Sequence, residues 1–254
     1  MSLNPCLDAI LVEVADPRQI VALSHWSRDP RQSTIAPIAA RYPMTWGSAE
    51  EVALLRPDLV IADSYSAARL TAFSPRLRMR AVGFEVPNTV EESLAQIDRV
   101  AALAGHPERG DALDQRIRAA VARAAPSVGE PRLSALTYEY HGLAAAPGTL
   151  MDDLMRRAGL DNAARRYGLR LTGQVPLDIL IANPPQVLLA GRRAPDEPLW
   201  VDRLLSHPAL RQLAKRIRVE TFPEQLTYCG GPVIIPALQA LAQGRRAAVE
   251  AGRK

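Results

Sequence analysis

The chain is short of the residues that most often carry chemistry. It has two cysteines, Cys6 and Cys229, and four histidines, at positions 25, 106, 141 and 207. Two cysteines cannot form a disulfide framework or a four-thiolate zinc site. The histidines are too scattered for a His-rich zinc or manganese centre. There is no Gly-x-Ser-x-Gly elbow, phosphate-binding loop or dinucleotide fingerprint. The nearest glycine cluster, Gly230-Gly231, runs into Pro232 and argues poorly for a phosphate. No apolar run approaches the ~20 residues of a membrane-spanning helix. Lys and Arg total 31 against 27 acids, a net charge of +4, and they are dispersed among those acids. Nucleic-acid binding is therefore not expected, since neither a basic stripe nor a basic-aromatic cluster is present. Aromatic residues are also few: three Trp, six Tyr and three Phe.

What is present is a chain of 254 residues, 48% hydrophobic, with ample material for a core. The first half alternates between helical and strand patterns. Helices are expected at 6–14, 35–42, 49–55 and 67–73, and strands at 20–23, 59–62 and 79–84. Residues 1–4 read as the tail of a strand, so we expect further sequence upstream of this start. An amphipathic helix at 89–104 ends at Gly105. A second, at 107–123, has Pro107 in its tolerated first turn. After residue 131 the alternation resumes. Strands are expected at 132–138, 187–190 and 217–222. Helices are expected at 149–158, 200–206 and 208–214, with a last one at 232–250. This is the pattern of parallel α/β sheets. His106 and His207, each followed by proline at a helix start, read as structural.

The stretch GSAEEVALLRPDLVIAD, residues 47–63, holds the most pointed signal. Ser48 suits a helix cap, and Glu50 and Glu51 suit the helix dipole. Pro57 ends the helix, and a doubly buried strand follows. The stretch VPLDILIANPPQVLLAG, residues 175–191, repeats the arrangement. Glu50 and Asp178 are 128 residues apart, and so are Pro57 and Pro185. The match points to two duplicated lobes. In such folds ligands lie beyond the carboxyl ends of the strands. Trp26, Trp46, Tyr65, Phe84, Tyr138, Tyr140 and Tyr228 all fall at or near those ends. A surface lined this way suits a bulky, partly polar small molecule.

Together these features resemble the periplasmic binding proteins that serve iron-siderophore, haem and cobalamin ABC importers. The resemblance is carried by SLNPC at the start, LSHWSRDP at 23–30, the two repeated stretches, the helix pair at 89–123 and GGPVIIPALQALA near the end. It implies two parallel-sheet α/β lobes joined by one long helix, with a ligand cleft between them. The segments would be 1–88, a helix pair at 89–125, and 126–254. It also implies a monomer, exported to the periplasm although no signal sequence is present, which is not an enzyme and needs no cofactor. The ligand would be a siderophore or corrinoid, and the partner an inner-membrane permease. Glu50 and Asp178 match the acids by which each lobe docks to that permease. Asp178 departs from the usual glutamate, and Glu51 could replace Glu50.

The expected ligand contacts are Asn4, Cys6, His25, Trp26, Trp46, Tyr65, Tyr138, Tyr140, His141 and Tyr228. Asn4 could equally cap the helix that follows it. Strand alternation would put Tyr138 and Tyr140 on one face, making at least one of them core. Cys6 and Cys229 could bridge, bind a soft metal or pack as small apolar groups. Haem is a further candidate ligand, through His25, Tyr65, His141 or Tyr228. The contrasting reading is a cytosolic α/β enzyme with His25 or His141 as base.

Overall fold

The computed structural model describes residues 1–77, 79–192 and 217–252. The helices expected at 200–206 and 208–214, with His207, lie outside those residues. The chain divides into two compact units. The first is Met1–Ile117 with Tyr228–Val233, and the second is Arg118–Thr227 with everything from Ile234 on.

In the first unit the helix termini follow the sequence closely. α1 (Pro5–Val14) has proline in its first turn and Asn4 as its cap. The Asn4 Oδ1 accepts from the Cys6 and Leu7 amides at 2.9 and 3.3 Å. α2 is only Ala36–Ala39, shorter than expected. α3 (Ala49–Leu55) is capped by Ser48, and Arg56 turns left-handed at φ 46° before Pro57. α4 (Ser64–Leu77) begins directly at the end of a strand and is longer than expected. α5 (Val90–Ala104) runs from a Thr89 cap to Gly105 at φ 79°. α6 (Pro107–Ala124) follows it, and the division between units falls within this helix.

Strands β1 (Leu23–Ser24) and β2 (Met44–Thr45) pair in parallel, as do β3 (Leu59–Asp63) and β4 (Arg80–Phe84). The strand expected at 20–23 starts late, because Asp16 and Gln19 form a capping box over the 3-10 turn Pro17–Gln19. Residues 1–3 fill the space between the two pairs. Ser2 bridges Ile61 in parallel, Leu3 N donates to Ile61 O at 3.0 Å, and Ser2 N donates to Ala22 O at 3.1 Å. The order is therefore β2, β1, residues 1–3, β3, β4. Met1, Ala22, Val52, Val60, Leu70 and Met79 pack together as a core.

The second unit holds a four-stranded parallel sheet, β10-β9-β5-β7. Its members are β5 (Leu133–Tyr138), β7 (Leu160–Asn162), β9 (Val187–Arg192) and β10 (Arg218–Pro223). A small antiparallel pair, β6 (Leu143–Ala144) and β8 (Gly173–Gln174), sits apart from that sheet. Among the described residues it also holds the end of α6 and the helices α7 (Leu150–Arg157), α8 (Leu177–Ala182) and α9 (Ile234–Gly252).

The repeat seen in the sequence is kept in the topology. α3 and α8 begin at 49 and 177, and β3 and β9 at 59 and 187, an offset of 128 both times. β3 lies between residues 1–3 and β4. β9 likewise lies between β5 and β10.

The hexapeptide Tyr228–Val233 is the part of the expected 126–254 segment that packs with the first unit. Three contacts hold it there. Cys229 is bonded to Cys6. The Gly231 amide donates to Ser93 Oγ at 2.7 Å. Gly231 also adopts φ 62°, and a Cβ there would come within 2.6 Å of Ile10 Cγ1. Only glycine combines that conformation with that approach.

Candidate ligand-binding site

Parallel pairing sets the first unit's candidate residues side by side. β1 ends at Ser24 and β2 at Thr45, so His25 and Trp46 emerge next to each other. Their rings stack at 3.9 Å between centroids, with 26° between planes. Trp26 lies against the other neighbour, 4.4 Å from the His25 ring. Trp26 is 47% exposed and Trp46 66%. This is a surface cluster of three aromatic rings, with the imidazole in the middle.

Each limb of the cluster is held by an acid. Glu51 Oε2 accepts from Thr45 Oγ1 at 3.0 Å, the Trp46 amide at 2.9 Å and the Ser48 amide at 3.3 Å. Burial tends to raise the Glu51 pKa, but the bonds from Thr45, Trp46 and Ser48 outweigh it and hold the carboxyl below its ordinary value. Glu51 is thus committed within the fold. Glu50, beside it, is exposed and makes no hydrogen bond or ion pair with the described residues.

The other limb is the 3-10 turn His25–Arg28. Its acid is Asp8 on α1, which is completely buried. Asp8 Oδ2 accepts from the Ser24 amide at 2.9 Å and from Ser27 Oγ at 2.6 Å. Burial pushes the Asp8 pKa up to about 7, and the polar groups of Ser2, Ser27 and Ser24 offset only part of that rise. Asp8 was not among the residues expected from sequence. Its only signal there is an acid set among Leu7, Ala9, Ile10 and Leu11.

Tyr65 opens α4 after β3 and is 72% exposed, with the Arg69 guanidinium 5.9 Å from its ring centre. The Ser64 hydroxyl next to it hydrogen-bonds Glu85 at the end of β4. Tyr228 is 49% exposed.

Two expected contacts in this unit have other work. The Asn4 side-chain oxygen is spent on capping α1. Cys6 and Cys229 form a disulfide, with Cα atoms 5.0 Å apart, so neither offers a thiolate to a soft metal. Among the described residues no group of three or more His, Cys, Asp and Glu side chains is placed to hold a metal ion.

In the second unit the expectation for Tyr138 is overturned. It is 3% exposed and packs with Leu136, Leu180 and Leu188 in the core. Alternation does not carry on to Tyr140, because β5 stops at Tyr138 and the chain enters the 3-10 turn Tyr140–Gly142. Tyr140 is 46% exposed and meets His141 edge-on at 4.1 Å. His141 is held at φ 59°, a left-handed value that is uncommon outside glycine.

Beneath this turn lie two acids that sequence reasoning missed. Glu139 and Glu224 are 6% and 3% exposed. Glu224 Oε1 accepts from the Tyr140 amide at 2.9 Å. Burial first, and then the Glu224 charge, push the Glu139 pKa up to about 7. Gly191 makes room for the pair, since a Cβ there would lie 2.7 Å from Glu224 Oε1 and 2.9 Å from Glu139 Cα. Asp178 is exposed in the first turn of α8 and makes no hydrogen bond or ion pair with the described residues.

The sequence profile described as "Periplasmic binding protein" matches residues 1–215. The chain belongs to the periplasmic binding protein family. No curated protein matches this binding protein significantly by sequence. Solved structures share its fold at low identity. A periplasmic haem-binding protein from Roseiflexus sp. RS-1 is 24% identical, with a TM-score of 0.70 over 96% of this chain and 97% of its own. The periplasmic vitamin B12 binding protein of Vibrio cholerae is 17% identical, with a TM-score of 0.74 over 98% and 96%. A possible iron-binding periplasmic solute-binding protein of Staphylococcus epidermidis is 14% identical, with a TM-score of 0.73 over 96% and 97%. The fold is that of the two-lobed members of this family.

Proposed function

We propose that this chain is the substrate-binding component of an ABC importer, working in the periplasm and capturing a bulky metal chelate. The observation that carries the reading is the exposed Trp26–His25–Trp46 cluster. Large aromatic groups left at a surface, and held by hydrogen-bonded acids, are built to contact something flat and partly apolar. A corrinoid or an aromatic siderophore fits that chemistry, with Tyr65 and Tyr228 as further contacts on the same unit. The Tyr140–His141 turn is the candidate contact on the second unit. The disulfide fits an oxidising compartment.

Haem is the second reading, favoured by His25. An imidazole between two indoles can face a macrocycle and ligate its iron. The haem- and B12-binding relatives are compatible with either ligand.

The permease contacts are proposed as Glu50 and Asp178. Glu51 is the weaker candidate, because its carboxylate is already engaged. Titration of the intrinsic tryptophan fluorescence with cyanocobalamin, hemin and a ferric catecholate siderophore tests the ligand class. Saturable quenching by one of the three is expected, weakened in Trp46→Ala. No saturable quenching by any of them would refute the reading.

A further inference from the structure

We propose that Asp8 is a positioning residue for ligand binding, holding the His25–Trp26 turn in its ring-presenting shape from inside the protein. The inference rests on the reading of the aromatic cluster as the ligand surface. Four observations on this chain lead to it.

First, an acid at a fully buried helix position is costly, and an apolar side chain would pack there without penalty. Second, the two hydrogen bonds that the Asp8 carboxylate accepts from Ser24 and Ser27 come from the turn and not from its own helix. Their anchors are Ser24 and Ser27, which flank His25 and Trp26 on either side. Third, the Ser24 hydroxyl passes the restraint on, accepting from the Trp26 amide at 3.2 Å. Fourth, Trp26 is half exposed, and beyond its ring contact with His25 the turn's other side-chain tether is at its far end, where Arg28 donates to the Tyr42 carbonyl.

The two oxygens of the carboxyl are also unequal. Oδ2 carries both bonds, whereas Oδ1 is buried and has no hydrogen-bond partner among the described residues. The Ser2 hydroxyl is near enough to lower the Asp8 pKa, and it is within hydrogen-bond distance of the Asn4 carbonyl at 3.3 Å. A proton on Oδ1 therefore leaves Oδ2 free to accept from Ser24 and Ser27. An Asn at this position keeps one such acceptor, and an Ala keeps none.

The experiment compares wild type, Asp8→Ala, Asp8→Asn and Ser27→Ala. The Trp26 indole and His25 imidazole signals are recorded by NMR without ligand. Affinity for hemin and cyanocobalamin and the melting temperature are measured alongside. Asp8→Ala is expected to move both ring signals and to weaken binding by about tenfold or more. Asp8→Asn should keep the signals near their wild-type positions and restore most of the affinity. Ser27→Ala removes one bond and leaves the α1 core intact, so it serves if Asp8→Ala fails to fold. It should move the same signals with an affinity loss approaching about tenfold.

Unmoved ring signals in Ser27→Ala and in folded Asp8→Ala would overturn the proposal. So would lowered melting temperatures with unchanged affinity, which is the mark of a purely structural acid. If wild type binds neither hemin nor cyanocobalamin and no siderophore, the ligand reading falls and the proposal falls with it. Wild-type binding with unmoved rings sinks the proposal alone.

Discussion

Buried carboxyls give this chain an unusual response to pH, and the sign follows from where each proton is held. Asp8 and Glu139 have ordinary values of 3.8 and 4.5, and burial raises both to about 7. Between those limits the folded state binds more protons than the unfolded chain, so stability falls as pH rises through the window and levels off above it. Asp29 acts oppositely and elsewhere. Hydrogen bonds from Arg31 lower it from 3.8 to about 2, so its contribution is present above 3.8 and is lost as pH falls toward 2. The contribution of these two carboxyls to urea-unfolding midpoints should therefore decline up to neutrality and then flatten, against an opposing rise toward pH 8.0 from the Met1 amino group, whose pKa burial lowers. Asp8→Asn should remove part of that slope, and an unchanged slope would show that Asp8 titrates normally. None of this was legible from sequence. Ser24 and Ser27 lie 16 and 19 residues from Asp8, and Glu224 lies 85 from Glu139, so only folding brings them together. Asn4 could be read to a pair of uses, and its cap bonds now account for one. Alternation put one of Tyr138 and Tyr140 in the core, and that one is Tyr138; what it could not give is that the strand ends there, so that Tyr140 is placed by a turn.

Elements were easier to read than side chains, because their ends are written locally. Ser48, Pro57, Thr89 and Gly105 each set a terminus that the structure keeps. The short α2 and the late start of β1 were not readable to the same precision, since a 3-10 turn and single-residue packing decide them. α3 shows how an element serves the site it adjoins. Its capping box joins Ser48 to Glu51, and the same Glu51 carboxylate takes the Trp46 amide. Ser48→Ala should cost about 0.5–2 kcal/mol of stability, the usual loss for such a cap. Glu51→Ala should cost as much and also release the Trp46 backbone, which tryptophan fluorescence would report as a change absent from Ser48→Ala. Identical spectra for the two variants would mean that Glu51 caps the helix and does nothing for Trp46. The motif Ser48-x-x-Glu51 is visible in the sequence. What could not be read there is that Thr45 and Trp46 share the acid.

At the scale of the whole chain, duplication explains more than any single motif. An offset of 128 residues relates α3 to α8 and β3 to β9, and the strand order around β3 is repeated around β9. A parallel sheet preceded by a helix places that helix's first turn at the same edge as the strand ends. Glu50 and Asp178 therefore occupy equivalent places in their own units, both exposed and both without a partner among the described residues. Complementing a helix dipole would require an acid of either kind in the first turn, and α3 already has Glu51 for that. Glu50, left free beside Glu51, is better explained by a cationic partner, whereas Asp178 is the sole first-turn acid of α8 and joins the proposal through its equivalent place in the repeat. Such rim charges act mainly on encounter and docking and hardly on a ligand bound elsewhere. Glu50→Lys and Asp178→Lys should each leave the fluorescence titration with ligand unchanged and reduce uptake through a reconstituted permease, the double variant most of all. Glu51→Gln is the matched control, and it should act on Trp46 and not on uptake through docking. Loss of ligand affinity in Glu50→Lys, or full uptake by the double variant, would remove these acids from the docking surface.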